Sequence, residues 1–454
     1  MTITEDTKAS ANPTKAFFVR MITRDISLED CILDLIDNSI DGAWRSEGSR
    51  PIGLALDGDL SAYTIDITAS PTQFTITDNC GGMSLNDAVE YAFSFGRRPQ
   101  EEADEYSIGV YGIGMKRAVF KLGTDIRIRS TFADNDGTRQ SFAVPISVEK
   151  WLESDDPPWD FDLEEDEQLA ENGVRIDANI LTSSAANAFS NPAFLQNLSR
   201  TIARDYSLHL SQGLSILLNG KKIAGWQIEL LASEEYVPVR ISYEDKENDD
   251  EVSIEIIGGM SAPPPEDSDP EEDERGDRRD GWYVVCNGRI VLAADKTEVS
   301  GWGSDDWPQW HRQYSGFLGI ILFSASNAAA LPLTTTKRSI DSSSEVYRRS
   351  KPHMREISKS WINYTNQKKQ SLDEAKAKEA QTTPVSIRSI TENKKVTLPS
   401  FTARPVERVA NINYSVPLKD LKLLAKAFGR ISMSYRDVGI KSFEYSLDDL
   451  VGED

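Results

Sequence analysis

Apolar positions recur every three or four residues through LEDCILDLIDNSIDGAW (28–44), and this spacing predicts a helix. At about 100° per residue, Ile32, Ile36, Ile40 and Ala43 share one side. Asp34, Asn38 and Asp41 fall opposite, with Asp30 and Asp37 beside them. One side suits a core, and the other is either a solvated face or the wall of a polar site. YTIDIT (63–68) and QFTITD (73–78) read as strands joined at Ser70-Pro71. LNDAVEYAFSF (85–95) has helical spacing, GRRPQEEADEYS (96–107) is loop-like, and MKRAVFKL (115–122) is a helix that stops at Gly123. DIRIRSTF and RQSFAVPI alternate as strands around Asn135-Asp136-Gly137. The order helix, strands, helix, strands predicts an α+β fold, with helices on one face of an antiparallel or mixed sheet.

From about 187 a second pattern begins. The helix NPAFLQNLSRTIARDYSLHL precedes strands LSILLNG, KIAGWQIEL and VPVRISY, and WYVVCNGRIVL (282–292) reads as one further strand. The acidic runs at 153–172 and 262–281 are expected to be a surface excursion and a disordered loop. A long polar helix near 350–380, a Thr/Pro-rich linker and a compact last piece follow. These divisions predict domains at 1–185, 186–350 and 351–454.

Charge narrows the classes of function. The chain carries a formal net charge of −23, which argues against a protein that coats nucleic acid with its whole surface but leaves room for a local basic face. Residues 351–454 are such a region, with 18 Lys and Arg against 13 Asp and Glu, a net of +5. Cys31, Cys80 and Cys286 have neither disulfide-framework nor zinc spacing. The first residues have no apolar signal-peptide core, and GFLGIILFSASNAAALPL is broken by Asn327 and Pro332, so a soluble cytoplasmic protein with no membrane partner is expected.

Three further stretches bear on the acidic helix. In TDNCGGMS (77–84), Asp78 at a strand end can accept from an amino group, while Gly81 and Gly82 let backbone lie against a flat ring; alone, this is equally an Asx-Gly turn. In SIGVYGIGMKRAVF (107–120), Gly109, Gly112 and Gly114 lead into a helix whose free N–H groups suit an anion, with Lys116 in the first turn. In LPLTTTKRSID (331–341), Lys337 is a candidate phosphate ligand from the second domain, or a surface lysine if read alone.

Taken together, DLIDNSID (34–41), DNCGGM (78–83) and IGVYGIGMK (108–116) resemble the nucleotide-binding boxes of the GHKL ATPases, the superfamily of gyrase B, heat-shock-type chaperones, histidine kinases, MutL and MORC proteins. VVCNGRIVL and TTTKRS are similar to the Asn-Gly-Arg strand and switch-lysine loop of the transducer domain in the gyrase, MutL and MORC branch. The resemblance covers roughly residues 15–350. It implies a Bergerat-type α/β sandwich that binds ATP and Mg²⁺, followed by a transducer-like (ribosomal S5-like) domain and a smaller C-terminal region. It also implies roles: Asn38 holds Mg²⁺, Asp78 recognises the adenine amino group, and Gly109, Gly112 and Gly114 form the lid hinge and phosphate turn, assisted by Lys116. Lys337 reaches the terminal phosphate. Gly81, Gly82, Met83 and Asp41 complete the expected nucleotide contacts.

The pattern is not followed throughout. Asp34 stands where most hydrolysing members have Glu to activate water, Cys80 takes the earliest glycine position, and Val174 takes that of a small hydroxyl residue. A slow ATPase is therefore expected, acting as a nucleotide-gated homodimeric clamp in bacterial DNA repair or phage defence, with DNA or a separate nuclease or effector as partner. The alternative is a chaperone-like or scaffold ATPase acting on proteins. A histidine kinase is disfavoured, because His209, His311 and His353 all lie downstream of the boxes and in no dimerisation helix pair.

Overall fold

The computed structural model describes residues 13–54, 58–94, 105–109, 112–153, 159–265, 279–304, 306–334, 337–401 and 412–452. They fall into two units, Met1–Thr402 and Ala403–Asp454.

The first unit opens with α1 (Lys15–Arg24) and α2 (Leu28–Glu47). The bounds of α2 follow from its ends: the Ser27 hydroxyl accepts from the Asp30 N–H, Glu29 and Asp30 lie in the first turn, and Gly48 closes the helix in the left-handed region. β1 (Thr64–Ser70) and β2 (Gln73–Asp78) pair antiparallel, as the alternation predicts. The helix expected over 85–95 is instead a short turn, α3 (Leu85–Asp87), continued by a π-helical turn at Ala88–Ala92. α4 (Gly114–Leu122) runs straight into β3 (Gly123–Ala133), which pairs antiparallel with β4 (Arg139–Ser147). α5 (Val148–Glu153), edge strand β5 (Glu164–Glu165), β6 (Gly173–Leu181), α6 (Ser183–Phe189), α7 (Pro192–Asp205), α8 (Ser207–Ser211), β7 (Ser215–Leu218) and β8 (Lys221–Lys222) follow.

Among the described residues these strands form a mixed eight-stranded sheet in the order β5-β4-β3-β6-β2-β1-β7-β8. β7 lies parallel to β1, so the first sheet extends to Lys222 and takes in segments expected in the second domain. The long helical pattern at 191–210 is broken into α7 and α8 at Tyr206. Ile32, Ile36 and Ile40 of α2 enter one core with Ile65, Ile67, Phe74 and Ile76 of the sheet.

β9 (Glu229–Ala232), β10 (Val239–Glu247), β11 (Asp250–Met260), β12 (Gly281–Cys286), β13 (Arg289–Asp295) and β14 (Phe317–Ala325) come next. Five of them form a second sheet, β10-β11-β14-β12-β13. The single strand expected over 282–292 is a hairpin: Asn287 and Gly288 both take positive φ, 43° and 82°, as an Asn-Gly turn requires. β14 is buried along its whole length. Phe317, Ile321 and Phe323 face a core shared with α9 (Glu345–Lys368), while Leu318, Ile320 and Leu322 face Leu54 and Leu208 of the preceding region. Burial on both faces explains its unbroken apolar sequence.

α10 (Leu372–Glu379) follows α9, and the expected linker instead packs on the unit: β15 (Thr383–Ser386) pairs with β9, and Ile387, Ile390 and Phe401 are buried. Most of the acidic run at 262–281 and most of the glycine-flanked lid segment, 95–104 and 110–111, lie outside the described residues. The second unit contains α11 (Leu418–Ala427) and α12 (Tyr435–Val451). No helix among the described residues is long and apolar enough to cross a membrane.

Candidate nucleotide site

The polar side of α2 is not a solvated face. Asp34 and Asp37 retain 3% and 0% of their exposure, and Asn38 is the one exposed residue between Cys31 and Ile40. Burying two carboxylates is costly unless cations accompany them. Three do, each from a different part of the chain. Arg117 of α4 donates from Nε to Asp34 Oδ2 at 2.7 Å, and its Nη2 lies 2.7 Å from the same oxygen. Lys337 donates to Asp37 Oδ2 at 2.8 Å and lies 3.4 Å from Asp34 Oδ1. Arg289, directly after the Asn-Gly turn, pairs with Asp37 Oδ2. The Tyr206 hydroxyl completes the shell, 2.7 Å from Asp37 Oδ1, with its ring beneath the Arg289 guanidinium.

Burial by itself would push the Asp37 carboxyl up, but Arg289 and Lys337 outweigh it and hold Asp37 below the usual carboxylate range. The same exchange raises Lys337 and Arg289 against their own desolvation. One residue further on, Arg338 pairs with Asp30, with Glu29 at 2.8 Å and with Asp205 at 3.5 Å. The loop carrying Lys337 and Arg338 is thus docked along the first turns of α2. Lys337 adopts φ 55°, a left-handed conformation uncommon for a residue with a Cβ.

At the other end of the site, Asp78 ends β2 with no cation beside it among the described residues. Its Oδ2 accepts from the Ser39 hydroxyl of α2 at 2.7 Å, and its Oδ1 from the N–H groups of Cys80 and Val174 at 2.9 and 3.1 Å. Burial raises this carboxyl, and the three donors only partly offset it. Val174, which lacks the expected hydroxyl, therefore contributes through its backbone. The preceding Gly173 is required sterically, since a Cβ there would run into the Asp78 carbonyl. Gly81 and Gly82 have φ of 93° and 78°, and a Cβ on Gly82 would strike the Thr131 carbonyl. Met83 is anchored through its own backbone, whose N–H donates to the Ser130 hydroxyl at 2.8 Å.

The glycine turn before α4 lies between these ends. Gly114 abuts Asp34, so that a Cβ would sit 3.3 Å from its carboxyl carbon, and Gly112 has φ 64°. Asp41 is half-buried and accepts from the N–H groups of Ile108 at 2.9 Å and Gly109 at 3.2 Å; burial pushes its carboxyl up to about 7. Lys116 turns away from α2, and its ammonium donates to the carbonyls of Ala92 and Ser94 at 2.8 and 2.6 Å. The second sheet holds this segment too: Asn287 donates to the Ser107 carbonyl at 2.9 Å, and the Tyr106 N–H to Ser326 at 3.0 Å.

Asn38, Asp41, Asp78, Gly81, Gly82, Met83, Gly109, Gly112 and Gly114 thus line a region bounded by α2, the end of β2 and the start of α4, with Asp34 and Lys337 at one end. Sequence reasoning missed Arg117, Arg338, Ser39 and Tyr206, and placed Arg289 only within a strand. Among the described residues no group of three or more His, Cys, Asp or Glu could hold a metal ion. Asn38, exposed and carrying a carboxamide oxygen, fits a Mg²⁺ ion that arrives with phosphate oxygens rather than a cage built by the protein alone. A separate cavity of about 490 Å³, lined by Trp302, Trp310 and Lys296, belongs to the second sheet's long loop and to none of these residues.

No curated protein matches the chain. Residues 26–168 match the family described as histidine kinase-, DNA gyrase B-, and HSP90-like ATPase. That span carries α2, the Asp78 turn and the glycine start of α4, and its match is to a GHKL-type ATPase domain, of the kind that binds ATP.

Proposed function

We propose that this protein is a slow ATP hydrolase whose second sheet reads the state of the nucleotide. The adenine amino group would meet Asp78, the triphosphate would lie over the glycine start of α4, and Asn38 would hold Mg²⁺, which supplies charge neutralisation at the phosphates. Asp34 would take the proton of the attacking water. The observation that carries this reading is the position of Lys337. Three hundred residues from Asp37 in sequence, it is buried on the acidic face of α2. Arg117, Arg289 and Lys337 pair directly with only two carboxylates, Asp34 and Asp37, so Lys337 shares both of its acids with an arginine and can leave without stripping either of its cation. A terminal phosphate would offer the Lys337 ammonium an anion that it need not share in this way. Transfer of Lys337 to phosphate would undo one contact between the second sheet and α2, which makes the lysine a switch in a transducer-like domain.

We further propose a larger cycle built on such a switch: ATP binding closes two protomers as a clamp, and hydrolysis reopens them. DNA is proposed as the clamped partner on the basic balance of residues 351–454. Salt-sensitive stimulation of ATP turnover by DNA would support this, and its absence would favour a protein client.

The test of the core reading is calorimetric ATP binding, ATP turnover, and mass with and without a non-hydrolysable analogue. The wild type binds, turns over and doubles in mass with the analogue. Asp34→Ala binds and doubles in mass, with turnover lowered at least about 100-fold, as loss of a general base predicts. Absence of adenine-nucleotide binding by the wild type would end the proposal.

A further inference from the structure

The two carboxylate oxygens of Asp34 have different neighbours. Oδ2 is held by both Nε and Nη2 of Arg117, each at 2.7 Å, whereas among the described residues Oδ1 has only Lys337 beside it, at the longer distance of 3.4 Å. The Arg117 and Asp34 side chains retain 10% and 4% of their exposure, so water cannot substitute for the contact. Arg117 is itself fixed: it lies in the first turn of α4, and its N–H donates to the Ile113 carbonyl at 3.0 Å. Gly114, opening the same turn, closes the other side of the Asp34 carboxyl. The terminal torsion of an aspartate is intrinsically broad, and a grip on one oxygen removes that freedom.

We propose that Arg117 is the positioning residue for Asp34, fixing Oδ2 so that Oδ1 alone is presented to the attacking water. This inference rests on the ATP-hydrolysis reading above. It explains how an acid one methylene shorter than Glu can serve in this place: reach is replaced by a fixed orientation. In the structure Oδ1 is covered by Lys337. When Lys337 moves to the terminal phosphate, Oδ1 is uncovered while Oδ2 stays on Arg117. A water proton then passes to Oδ1 as the water oxygen bonds to the γ-phosphorus, and the bond from that phosphorus to the β,γ-bridging oxygen breaks with its electron pair remaining on ADP. In this role Arg117 acts through Asp34, which it holds directly.

The experiment compares wild type, Arg117→Gln, Arg117→Lys, Asp34→Glu and the Asp34→Glu/Arg117→Gln double variant by ATP calorimetry and steady-state turnover, with folding checked by thermal melting. Arg117→Gln lowers kcat about 10- to 100-fold while the Kd for ATP stays within about threefold, the pattern of a misplaced reacting group. Arg117→Lys, which keeps the charge without the fork, recovers part of the loss. In the Asp34→Glu background, where the acid has its own reach, Arg117→Gln costs less than about threefold. Unchanged kcat in Arg117→Gln overturns the proposal. So does a parallel loss of ATP affinity, an inactive Asp34→Glu, or an equal loss in both backgrounds. If Arg117→Gln does not fold, Arg117→Lys decides: kcat lowered with unchanged Kd supports positioning, and unchanged kcat overturns it. A wild type that binds ATP without turning it over overturns hydrolysis and positioning together but leaves the binding site standing, whereas one that binds no ATP removes the site itself.

Discussion

The two ends of the site keep their acids by opposite means. At the end proposed for the phosphates, Asp34 and Asp37 are ion-paired to Arg117, Arg289 and Lys337, drawn from segments up to 303 residues apart in sequence. At the end proposed for adenine, the donors to Asp78 among the described residues are all neutral, from Ser39, Cys80 and Val174. Asp37 is held in its charged form by its cations at one end, while burial disfavours the charged form of Asp78 at the other, which is how one fold obtains acids with different tasks. The difference is also mechanical. An aspartate fixed by three hydrogen bonds, with glycines packed against neighbouring backbone, is a rigid platform. An ionic cluster supplied by the second sheet can exchange partners when a new anion arrives.

The comparison is broken most severely by removing Asp37. Asp37→Ala leaves Arg289 and Lys337 buried with one carboxylate fewer, and breaking such a pair costs about 3–5 kcal/mol. Denaturant unfolding checks this. The wild-type contribution has the usual acid sign: the cations hold Asp37 below its unfolded value, so the stability it gives is present above about pH 4 and lost on further acidification.

Asp78→Asn is the matching change at the adenine end. It removes a charged acceptor but leaves no buried cation behind, so the expected effect falls on the ligand. ATP affinity drops by about 1.5–3 kcal/mol, roughly 10- to 100-fold, the worth of a hydrogen bond to a charged group. Calorimetry with ATP and GTP reads it, and preference between the two bases should narrow with the loss. A large loss of stability with unchanged base preference would make Asp78 a structural acid.

Lys337→Met tests whether the phosphate end carries surplus positive charge. Two carboxylates then face Arg117 and Arg289, so removing the third cation should cost less than about 1 kcal/mol in unfolding free energy, against several for Asp37→Ala. If Lys337→Met is as destabilising as Asp37→Ala, the lysine is part of the frame and is not poised to leave it.

Much of the first sheet was legible in the chain, because β1, β2, β3 and β4 alternate with period two and α2 has periodic apolar positions and caps at both ends. The three boxes are local in sequence, and each could be picked out there as a motif. What escaped was set by tertiary contact. Arg117 and Lys116 are neighbours, yet the 100° between successive helical residues sends Arg117 to Asp34 and Lys116 to the Ala92 and Ser94 carbonyls. Spacing alone could not say which of the two cations faces α2. Arg289 sat inside a strand-like run whose Asn-Gly turn signal was read through, and Tyr206 offered no pattern at all. The acidic side of α2 fits solvent or a site equally well until its partners, hundreds of residues downstream, are placed.

Asp41 belongs to neither end, and it gives the smallest and most specific prediction. It accepts from the Ile108 and Gly109 N–H groups on the stem that leads into the glycine turn, and burial outweighs those donors to bring its carboxyl up to about 7. An unfolded aspartate titrates near 4, so between about pH 4 and 7 the folded chain holds a proton that the unfolded chain has released. Stability from this group is therefore fully present below that window and declines as pH rises through 7. Melting temperatures of wild type and Asp41→Asn measured from pH 5 to 8 should diverge accordingly, with the wild type losing ground to the variant as pH increases. Nucleotide that brings Mg²⁺ close to Asn38, one helical turn away, should favour the ionised form and draw the wild-type transition to lower pH. A difference between the two proteins that stays constant across the range would mean that Asp41 is already charged throughout, a third ionised acid on α2 beside the cationic cluster.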